Sequence, residues 1–391
     1  MRNILVIGFS TRNIVCSGSR AGYKMYSIDA FCDHDLVQCA AGARKLKIAE
    51  TFDIKDISTI QLTEMIKDLN VEFDAIIPGS GFETMDWELL YGKVLGNEPH
   101  IMASVSDKYN FSSIMERLSI PHPKTVLLCE IESLRLPVMV KPACSGGGIF
   151  NMKVETERDI GILREKLKDK SFPAAKGRFI AQEYITGIPA SVSVISTKEK
   201  AVAVAVNEQL VGTPWLTDIP FAYCGNITPY ETPWALKMKL VAEELVLSLG
   251  LVGSNGVDFI IGEDGPVVIE VNARLQGSLD TVEMATGINM FDAHMRAFEG
   301  CADIVADKAT RATRYAGRAI LYAEKDIVIS SAAHRELLGM NVCDIPVSGQ
   351  LIKYGEPVVS VISTGESREE VLSGLKECIM FIRETLNLFQ S

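Results

Sequence analysis

The chain has 391 residues, enough for two or three domains with a buried core. It is 47% hydrophobic and 23% charged, values typical of a soluble globular protein. The formal net charge of −11 provides no field that attracts nucleic acid or an anionic membrane, so we expect neither as a partner. A small anionic substrate stays possible, because local basic residues can outweigh the average charge.

The nine cysteines are scattered, odd in number and without a Cys-x-x-Cys pair. We therefore expect free thiols in a reducing cytosol and no structural zinc. The N-terminal stretch has too short an apolar run for a signal peptide, and no later run reaches membrane-spanning length. These features predict a cytoplasmic protein.

Residues 1 to about 103 alternate strands and helices, as in a parallel α/β domain. The stretches NILVIGF and KMYSIDAF indicate strands on either side of a helix in TRNIVCSGSRAGY. The stretch FDAIIPGSGFET indicates a strand, a tight turn and a helix. The first turn, GFSTRN, lacks the Gly-x-Gly-x-x-Gly pattern that lets a backbone approach a pyrophosphate, which argues against a dinucleotide site.

From about residue 104 a capped helix is followed by a strand, a glycine loop and a second strand in VMVKPACSGGGIFNMKV. Lys141 ends the first strand, and Ser145 and Gly146–Gly148 form the loop. Glycine lets backbone N–H groups turn toward an anion, and a nearby lysine adds positive charge. The stretch therefore favours phosphate binding, although it lacks a Walker A ending and would also fit a flexible hairpin turn.

The stretch FIAQEYITG is an apolar strand that meets Gln182 and Glu183 and leaves through Gly187 and Pro189. Main-chain groups in such a linker can bind the edge of an adenine ring. A plain strand end followed by a turn is the alternative interpretation.

The most informative stretch is the hairpin SNGVDFIIGEDGPVVIEVNARLQG. Glu270, Asn272 and Arg274 alternate along its second strand, so their side chains point to the same face. A three-residue turn over 263–265 would place Asp258 opposite Glu270, with Cα atoms about 4.5–5.5 Å apart. Such carboxylates repel each other unless a divalent cation lies between them, and Mg²⁺ prefers oxygen ligands of this kind. The row predicts a metal–phosphate site, although an exposed face with ordinary charges is the alternative.

Together, these stretches and Lys108 resemble, in order and spacing, the ATP-grasp superfamily, above all its biotin carboxylase branch and its carboxylate–amine ligases. The resemblance covers nearly the whole chain, including DIPVSGQLIKYGEPVVSVISTGESREEVLSGLKE, which is similar to the closing segment of carboxylase and purine-biosynthesis enzymes. It implies an α/β ATP-grasp fold with an α+β core. The expected parts are an N-terminal parallel α/β domain (1–103), an ATP-grasp core (104–310) with a mobile lid at about 124–200, and a C-terminal αβ segment (311–391).

The resemblance also implies roles for individual residues. Asp258, Glu270 and Asn272 match the ligands of Mg²⁺, for which Mn²⁺ is an alternative. Arg274 and Lys141 match catalytic groups, with Arg274 beside the transferred phosphate and the acyl intermediate. The positions that match ATP-binding residues are Lys108, Lys141, Ser145, Gly146, Gly147, Gly148, Gln182, Glu183, Tyr184 and Ile185.

Two departures bear on the reaction. Ser278 stands where the carboxylase branch has the glutamate that acts as base on bicarbonate, and Pro189 or Ala190 stands where an acid commonly binds the ribose. The stretch GRAILYAEKD provides no clear match to the second carboxylase arginine, and the chain has no biotin-carrier motif.

We therefore predict an ADP-forming ligase that activates a small-molecule carboxylate as an acyl phosphate and joins it to an amine. A biotin-carboxylase-like enzyme and a non-catalytic ATP sensor are the alternatives. The expected partners are the two small substrates, and similar enzymes are commonly homodimers. We expect the N-terminal domain and the segments 205–215 and 221–229 to shape the substrate pocket.

Overall fold

The protein is described by a computed structural model that covers residues 2–46, 59–85, 94–168, 178–301 and 312–388. The strands of the N-terminal half are β1 (Asn3–Gly8), β2 (Lys24–Asp29), β3 (Gly42–Lys45), β4 (Ala75–Pro78), β5 (Thr125–Leu127), β6 (Val138–Pro142), β7 (Met152–Val154), β8 (Phe179–Glu183) and β9 (Ile188–Ser196). They are followed by β10 (Ala201–Val211), β11 (Tyr223–Thr228), β12 (Gly253–Gly262), β13 (Gly265–Asn272), β14 (Tyr315–Tyr322), β15 (Ile327–Val328), β16 (Val342–Cys343), β17 (Leu351–Ile352) and β18 (Pro357–Gly365).

The helices alternate with these strands, and a short 3₁₀ helix spans Leu128–Ser133. The α-helices are α1 (Arg12–Arg20), α2 (His34–Cys39), α3 (Thr59–Lys67), α4 (Pro99–Ser106), α5 (Lys108–Leu118), α6 (Glu157–Lys168), α7 (Ala235–Ser248), α8 (Leu279–Thr286), α9 (Met290–Phe298), α10 (Ser331–Leu338) and α11 (Arg368–Leu388). No helix in the described ranges is long and apolar enough to cross a membrane.

The N-terminal strands form a four-stranded parallel sheet in the order β3-β2-β1-β4, which confirms the predicted α/β pattern. The apolar run of β1 is fully buried, as expected for a strand covered on both faces. The tight turn predicted in FDAIIPGSGFET lies within residues 79–85, where Gly81 has a left-handed backbone with φ +90°. No helix begins in this range, and the residues that would continue the predicted helix lie outside the described residues.

A second, smaller sheet is antiparallel in the order β5-β8-β6-β7. The 3₁₀ helix and α6 pack against it, and Val138, Ile160 and Leu163 belong to its core. This small sheet carries the glycine loop between β6 and β7 and the linker after β8, so it places both segments on one side of the molecule.

The largest sheet has eight strands in the order β13-β12-β9-β10-β11-β14-β18-β16. Neighbouring residues of β10 enter different cores, because Ala203 packs with α7 whereas Val202 and Val204 pack with α8 and α9. Strands β14 and β18 continue this sheet, and α11 packs on both. The division into three domains at residues 103 and 310 stays a prediction.

The hairpin β12–β13 turns more tightly than expected. Gly262 pairs with Gly265, so the predicted three-residue turn is wrong and only two residues connect the strands. Gly265 has φ +118°, which L-amino acids with a side chain rarely adopt. A bulge at Ile269 then shifts the register by one residue, and Asp258 still faces Glu270.

A disulfide links Cys16 in α1 to Cys39 in α2, with a Cα–Cα distance of 5.1 Å. The expectation that all nine thiols are free is therefore wrong for this pair. The two helices pack side by side and bring together residues that lie 23 apart, a proximity that cysteine spacing does not reveal.

A buried arginine joins the N-terminal sheet to the rest of the protein. Arg12 of α1 donates to Asp280 of α8 (Nη2–Oδ2 2.7 Å) and to Asp344 after β16 (Nε–Oδ1 2.9 Å). Burial alone would raise the pKa of Asp344, but Arg12 and Arg318 hold it well below the usual range. The ion pairs therefore connect α1, α8 and the C-terminal segment at one point.

We expect Arg12→Met to lower the free energy of unfolding by about 3–5 kcal/mol, because it leaves buried carboxylates without their cation. Arg164→Met is the control, since Arg164 forms an exposed pair with Glu132 and should change stability little. Urea denaturation at neutral pH measures both variants. Equal stabilities would show that the buried cluster does not hold the domains together.

Candidate active site

A cleft of about 630 Å³ lies where the three larger sheets meet. Its walls come from the loops of the N-terminal domain, the small sheet, the hairpin β12–β13 and the C-terminal strands. The structure brings every sequence-predicted site residue to this cleft: Lys108, Lys141, Ser145, Gly146, Gly147, Gly148, Gln182, Glu183, Tyr184, Ile185, Asp258, Glu270, Asn272 and Arg274.

Two carboxylates oppose each other on the floor of the cleft, at Asp258 and Glu270. Asn272 and Gln209 each donate a hydrogen bond to Asp258, at 3.0 and 3.1 Å. Burial and the charge of Glu270 raise the pKa of Asp258. Burial also favours the neutral form of Glu270, but Lys108 and Lys141 lower its pKa. The two carboxylates therefore have pKa values shifted in opposite directions, up for Asp258 and down for Glu270.

Two buried lysines flank this acid pair. Asp107 caps α5 by accepting from the backbone N–H of Tyr109 and Asn110, and this cap positions Lys108 at the start of the helix. The Lys108 ammonium lies 3.2 Å from Glu270 Oε2 and donates to the Ser145 carbonyl at 2.6 Å.

Lys141 comes from β6, is buried, and interacts electrostatically with both acids of the pair. Burial and the charge of Lys108 lower the pKa of Lys141 to about 8. A polyanion beside both ammonium groups would favour their charged forms, so the arrangement suits a chain of phosphates.

The glycine loop folds against the segment that leads into β11. Gly147 and Gly148 have φ of +75° and +73°, and the Gly147 carbonyl accepts from the Tyr223 N–H at 3.0 Å. A Cβ added to Gly148 would lie 1.9 Å from the Phe221 carbonyl oxygen, so only glycine fits this approach. The loop covers one side of the cleft, and its mobility stays a prediction.

The linker after β8 is anchored to the small sheet. Gln182 is buried and donates to Thr125 Oγ1 at 2.9 Å, while the N–H groups of Glu183 and Tyr184 bond to neighbouring carbonyls. Lys153 lies over the Tyr184 ring, 4.5 Å from its centroid. The linker is therefore held at the cleft edge by contacts that leave Ile185 on the wall of the cleft.

Glu83 is a site residue that the sequence analysis missed. Its Oε1 lies 2.5 Å from Nε of Arg274, and Arg274 also donates to Asn272 Oδ1 at 3.2 Å. Glu83 follows β4, and residues beyond the carboxyl ends of parallel strands commonly face a ligand. Its position after β4 is the feature of the sequence that could have indicated Glu83 as a site residue.

The remaining walls include residues from the two segments that were expected to shape the substrate pocket. Gln209 of the segment 205–215 and Tyr223 of the segment 221–229 line the cleft. Ser278 also lines it, and its hydroxyl lies 3.3 Å from that of Ser193. No carboxylate replaces Ser278 at this position.

The donors of the acid pair are the kind that bind a hard divalent cation. Among the residues that the structure describes, no group of three His, Cys, Asp or Glu side chains could hold a metal. Mg²⁺ commonly uses one or two carboxylates and completes its coordination with phosphate and water. Asp258, Glu270 and the Asn272 amide fit that type of site, which needs a phosphate ligand.

Comparison with known proteins identifies the central part of the chain. Residues 105–278 match the family model of the ATP-grasp domain, so this part of the chain is an ATP-grasp domain. The chain is 26% identical over 391 residues to an uncharacterized protein, MJ0776, of Methanocaldococcus jannaschii, covering 96% of this chain and 91% of that one. It is also 26% identical over 212 residues to the carbamoyl phosphate synthase large chain of Pyrobaculum aerophilum, covering 50% of this chain and 19% of that one.

Solved structures confirm the predicted fold. An L-amino acid ligase from Bacillus licheniformis superposes with a TM-score of 0.71 at 18% identity, covering 98% of this chain and 97% of that one. Biotin carboxylase from Campylobacter jejuni superposes with a TM-score of 0.71 at 17% identity, covering 95% and 89%. The likeness extends over nearly the whole chain and shows that the chain shares the fold of these structures.

We expect Gly148→Ala to detach the glycine loop from the segment before β11, because the added methyl group meets the Phe221 carbonyl. Hydrogen exchange should show lost protection at the Tyr223 amide. Gly146→Ala is the control, since a Cβ there meets no atom within 4 Å. Similar protection in both variants would show that the loop does not depend on this approach.

We expect Asp258→Asn to be more stable than the wild type above the ordinary titration range of aspartate. When folding raises the pKa of a carboxyl, the folded protein becomes less stable as the pH rises from the unfolded pKa toward the folded pKa. The advantage of the variant should therefore grow between pH 4 and alkaline pH, in urea denaturation of the ligand-free protein. Asp264→Asn, in the exposed turn, is the control, and an equal pH dependence for both variants would contradict the expectation.

Proposed function

We propose that the protein is an ATP-dependent ligase that activates a small-molecule carboxylate as an acyl phosphate and joins it to an amine, with release of ADP and phosphate. The observation that carries this proposal is the meeting of two buried lysines, a glycine loop, an opposed acid pair and Arg274 in one cleft of an ATP-grasp domain.

The nucleotide would lie between the small sheet and the hairpin. Lys108, Lys141 and the backbone N–H groups of 145–148 would bind the phosphates, and residues 182–185 would hold the adenine. Ile260 and Ile269 supply an apolar wall for the base. The missing acid near Ala190 leaves the ribose to other groups or to water.

The acid pair and Asn272 would hold Mg²⁺, with Mn²⁺ as an alternative. When bound, the ion neutralises the phosphate charge and aligns the phosphates for transfer. The protein side of the site supports this role, because burial and the charge of Glu270 raise the pKa of Asp258, and a bound cation would offset both effects.

In the first step, an oxygen of the substrate carboxylate attacks the γ-phosphorus, and the bond to the β-phosphate oxygen breaks to release ADP. Arg274 is oriented by Glu83 and Asn272, so its guanidinium would hold the carboxylate in line. Lys108 and Lys141 would stabilise the charge on the transferred phosphoryl group.

In the second step, the nitrogen of an uncharged amine attacks the acyl carbon, phosphate leaves, and the nitrogen loses a proton. No nucleophile from the protein is needed. The glycine loop would keep water away from the acyl phosphate, which otherwise hydrolyses.

The position of Ser278 favours this reaction over carboxylation. A serine hydroxyl beside Ser193 lacks the charge and basicity of the carboxylate that would activate bicarbonate. A non-catalytic sensor is disfavoured because both lysines and all three candidate metal ligands are present in the cleft.

A release assay for ADP tests the proposal against a matrix of small carboxylates and amines, with bicarbonate as a separate arm. We expect turnover only when a carboxylate and an amine are both present, and Lys141→Met should lower it by about 10²–10³-fold. Lys166→Met, an exposed lysine on α6, is the control and should keep wild-type turnover.

Two outcomes would contradict the proposal. ADP release that requires bicarbonate and no amine would indicate a carboxylase. Thermal stabilisation by ATP and Mg²⁺ without ADP release from any pair would indicate a sensor, since ligand binding alone raises stability by mass action.

A further inference from the structure

The end of the cleft formed by the N-terminal and C-terminal segments is rich in buried acid. Two arginines, Arg12 and Arg318, lie there with Asp35, Asp280 and Asp344, and the charges of Asp29 and Asp33 add to this group. Carboxylates that have hydrogen-bond or ion-pair partners within the protein need no ligand, and four of the five aspartates have such partners.

Two of these aspartates accept hydrogen bonds from backbone N–H groups. Asp29 accepts from the N–H groups of residues 11, 31 and 32, at 2.7–2.8 Å, and from the hydroxyl of Thr11. Asp35 accepts from the N–H groups of Asp344 and Ile345, at 3.0 and 2.9 Å. Their negative charges stabilise the loops that follow β2 and β16.

Two others are neutralised by the arginines. Asp280 pairs with both terminal nitrogens of Arg12, at 3.2 and 2.7 Å. Asp344 pairs with Arg12 and with Arg318. Both arginines therefore have carboxylate partners already.

Asp33 is the exception. It is 6% exposed and lines the cleft, yet across the described ranges its carboxylate accepts no hydrogen bond and forms no ion pair. Burial and the charges of Asp344, Asp29 and Asp35 raise the pKa of Asp33 to about 9, against a smaller effect of Arg12. A buried carboxylate without a hydrogen bond or an ion pair is costly, so a cation beside it would stabilise its charged form.

We propose that Asp33 binds a cationic ammonium group of the amine substrate, at the end of the cleft between the N-terminal and C-terminal segments. This inference rests on the proposed ligase function and specifies its substrate class. Because the attacking nitrogen has to be uncharged, the group at Asp33 is a second cationic centre of the same molecule. Diamines and basic amino acids have this chemistry.

The surroundings of Asp33 favour an organic cation over a metal ion. In the described part of the chain, Asp33 belongs to no group of three His, Cys, Asp or Glu side chains that could hold a metal ion. A divalent cation needs several oxygen ligands. Phe9 and Phe31 also line the cleft, with ring centroids 5.0 Å apart in edge contact. Aromatic rings contact the methylene groups of an alkylammonium chain and attract its charge.

The first test is direct binding to the whole protein without ATP. Calorimetry and thermal shift at pH 7.5 would use lysine, arginine, 1,4-diaminobutane and 1,5-diaminopentane, with norleucine and 1-aminopentane as probes that lack the second charge. We expect at least one molecule with two cationic groups to bind, and its analogue without the second cationic group to bind more weakly. Asp33→Asn should weaken that binding by about 10- to 100-fold.

Asp68→Asn is the matched control, because it removes the same charge from an exposed position outside the cleft. An unchanged thermal shift with ATP and Mg²⁺ shows that Asp33→Asn is folded. Asp33→Glu, which restores the charge, should recover part of the binding.

The inference is wrong if no dication binds, or if Asp33→Asn binds it as well as the wild type. Either result would mean that Asp33 is simply a neutral buried acid. Failure of the proposed function has a different signature, because ADP release would be absent from every substrate pair while Asp33-dependent binding persisted.

Discussion

Repulsion between Asp258 and Glu270 is the constraint around which the cleft is arranged. Two carboxylates on paired strands would repel by a few kcal/mol at the dielectric of a protein interior. The fold compensates the two acids unequally, because Lys108 and Lys141 outweigh burial at Glu270, whereas Arg274 and two neutral amides do not outweigh it at Asp258. The repulsion that remains between the two carboxylates would favour binding of a cation. The phosphates of a nucleotide would bind together with that cation.

Each group that balances this pair comes from a different structural unit. Lys108 begins a helix, Lys141 ends a strand of the small sheet, and Arg274 leaves the hairpin to meet Glu83 of the N-terminal domain. The charge distribution therefore depends on the relative placement of all three sheets. Arg12 and its buried carboxylates fix part of that placement, since they tie α1 to α8 and to the C-terminal segment.

The fold and the nucleotide side could be predicted because their signals are local. Strand alternation places Glu270, Asn272 and Arg274 on one face whatever the rest of the chain does. The glycine loop between apolar strands likewise needs no tertiary information. These short-range patterns were sufficient to find the lysines, the glycine loop, the linker and the hairpin residues that the cleft brings together.

The rest depends on long-range packing. The partner of Arg274 lies 191 positions earlier in the chain, and Asp33 is notable only because four neighbouring aspartates are satisfied and it is not. The disulfide between Cys16 and Cys39 was missed for the same reason. A single sequence shows which residues are polar but not which of them lack a partner.

The bulge at Ile269 has a consequence for how the hairpin can vary. The register of Asp258 against Glu270 is set by this extra residue near the acids, whereas the exposed tip at Glu263 and Asp264 only reverses the chain. Substitutions at the tip are thus uncoupled from the geometry of the acids. Related chains could differ freely in those two residues, while a lost residue between Pro266 and Ile269 would turn one acid away from the other.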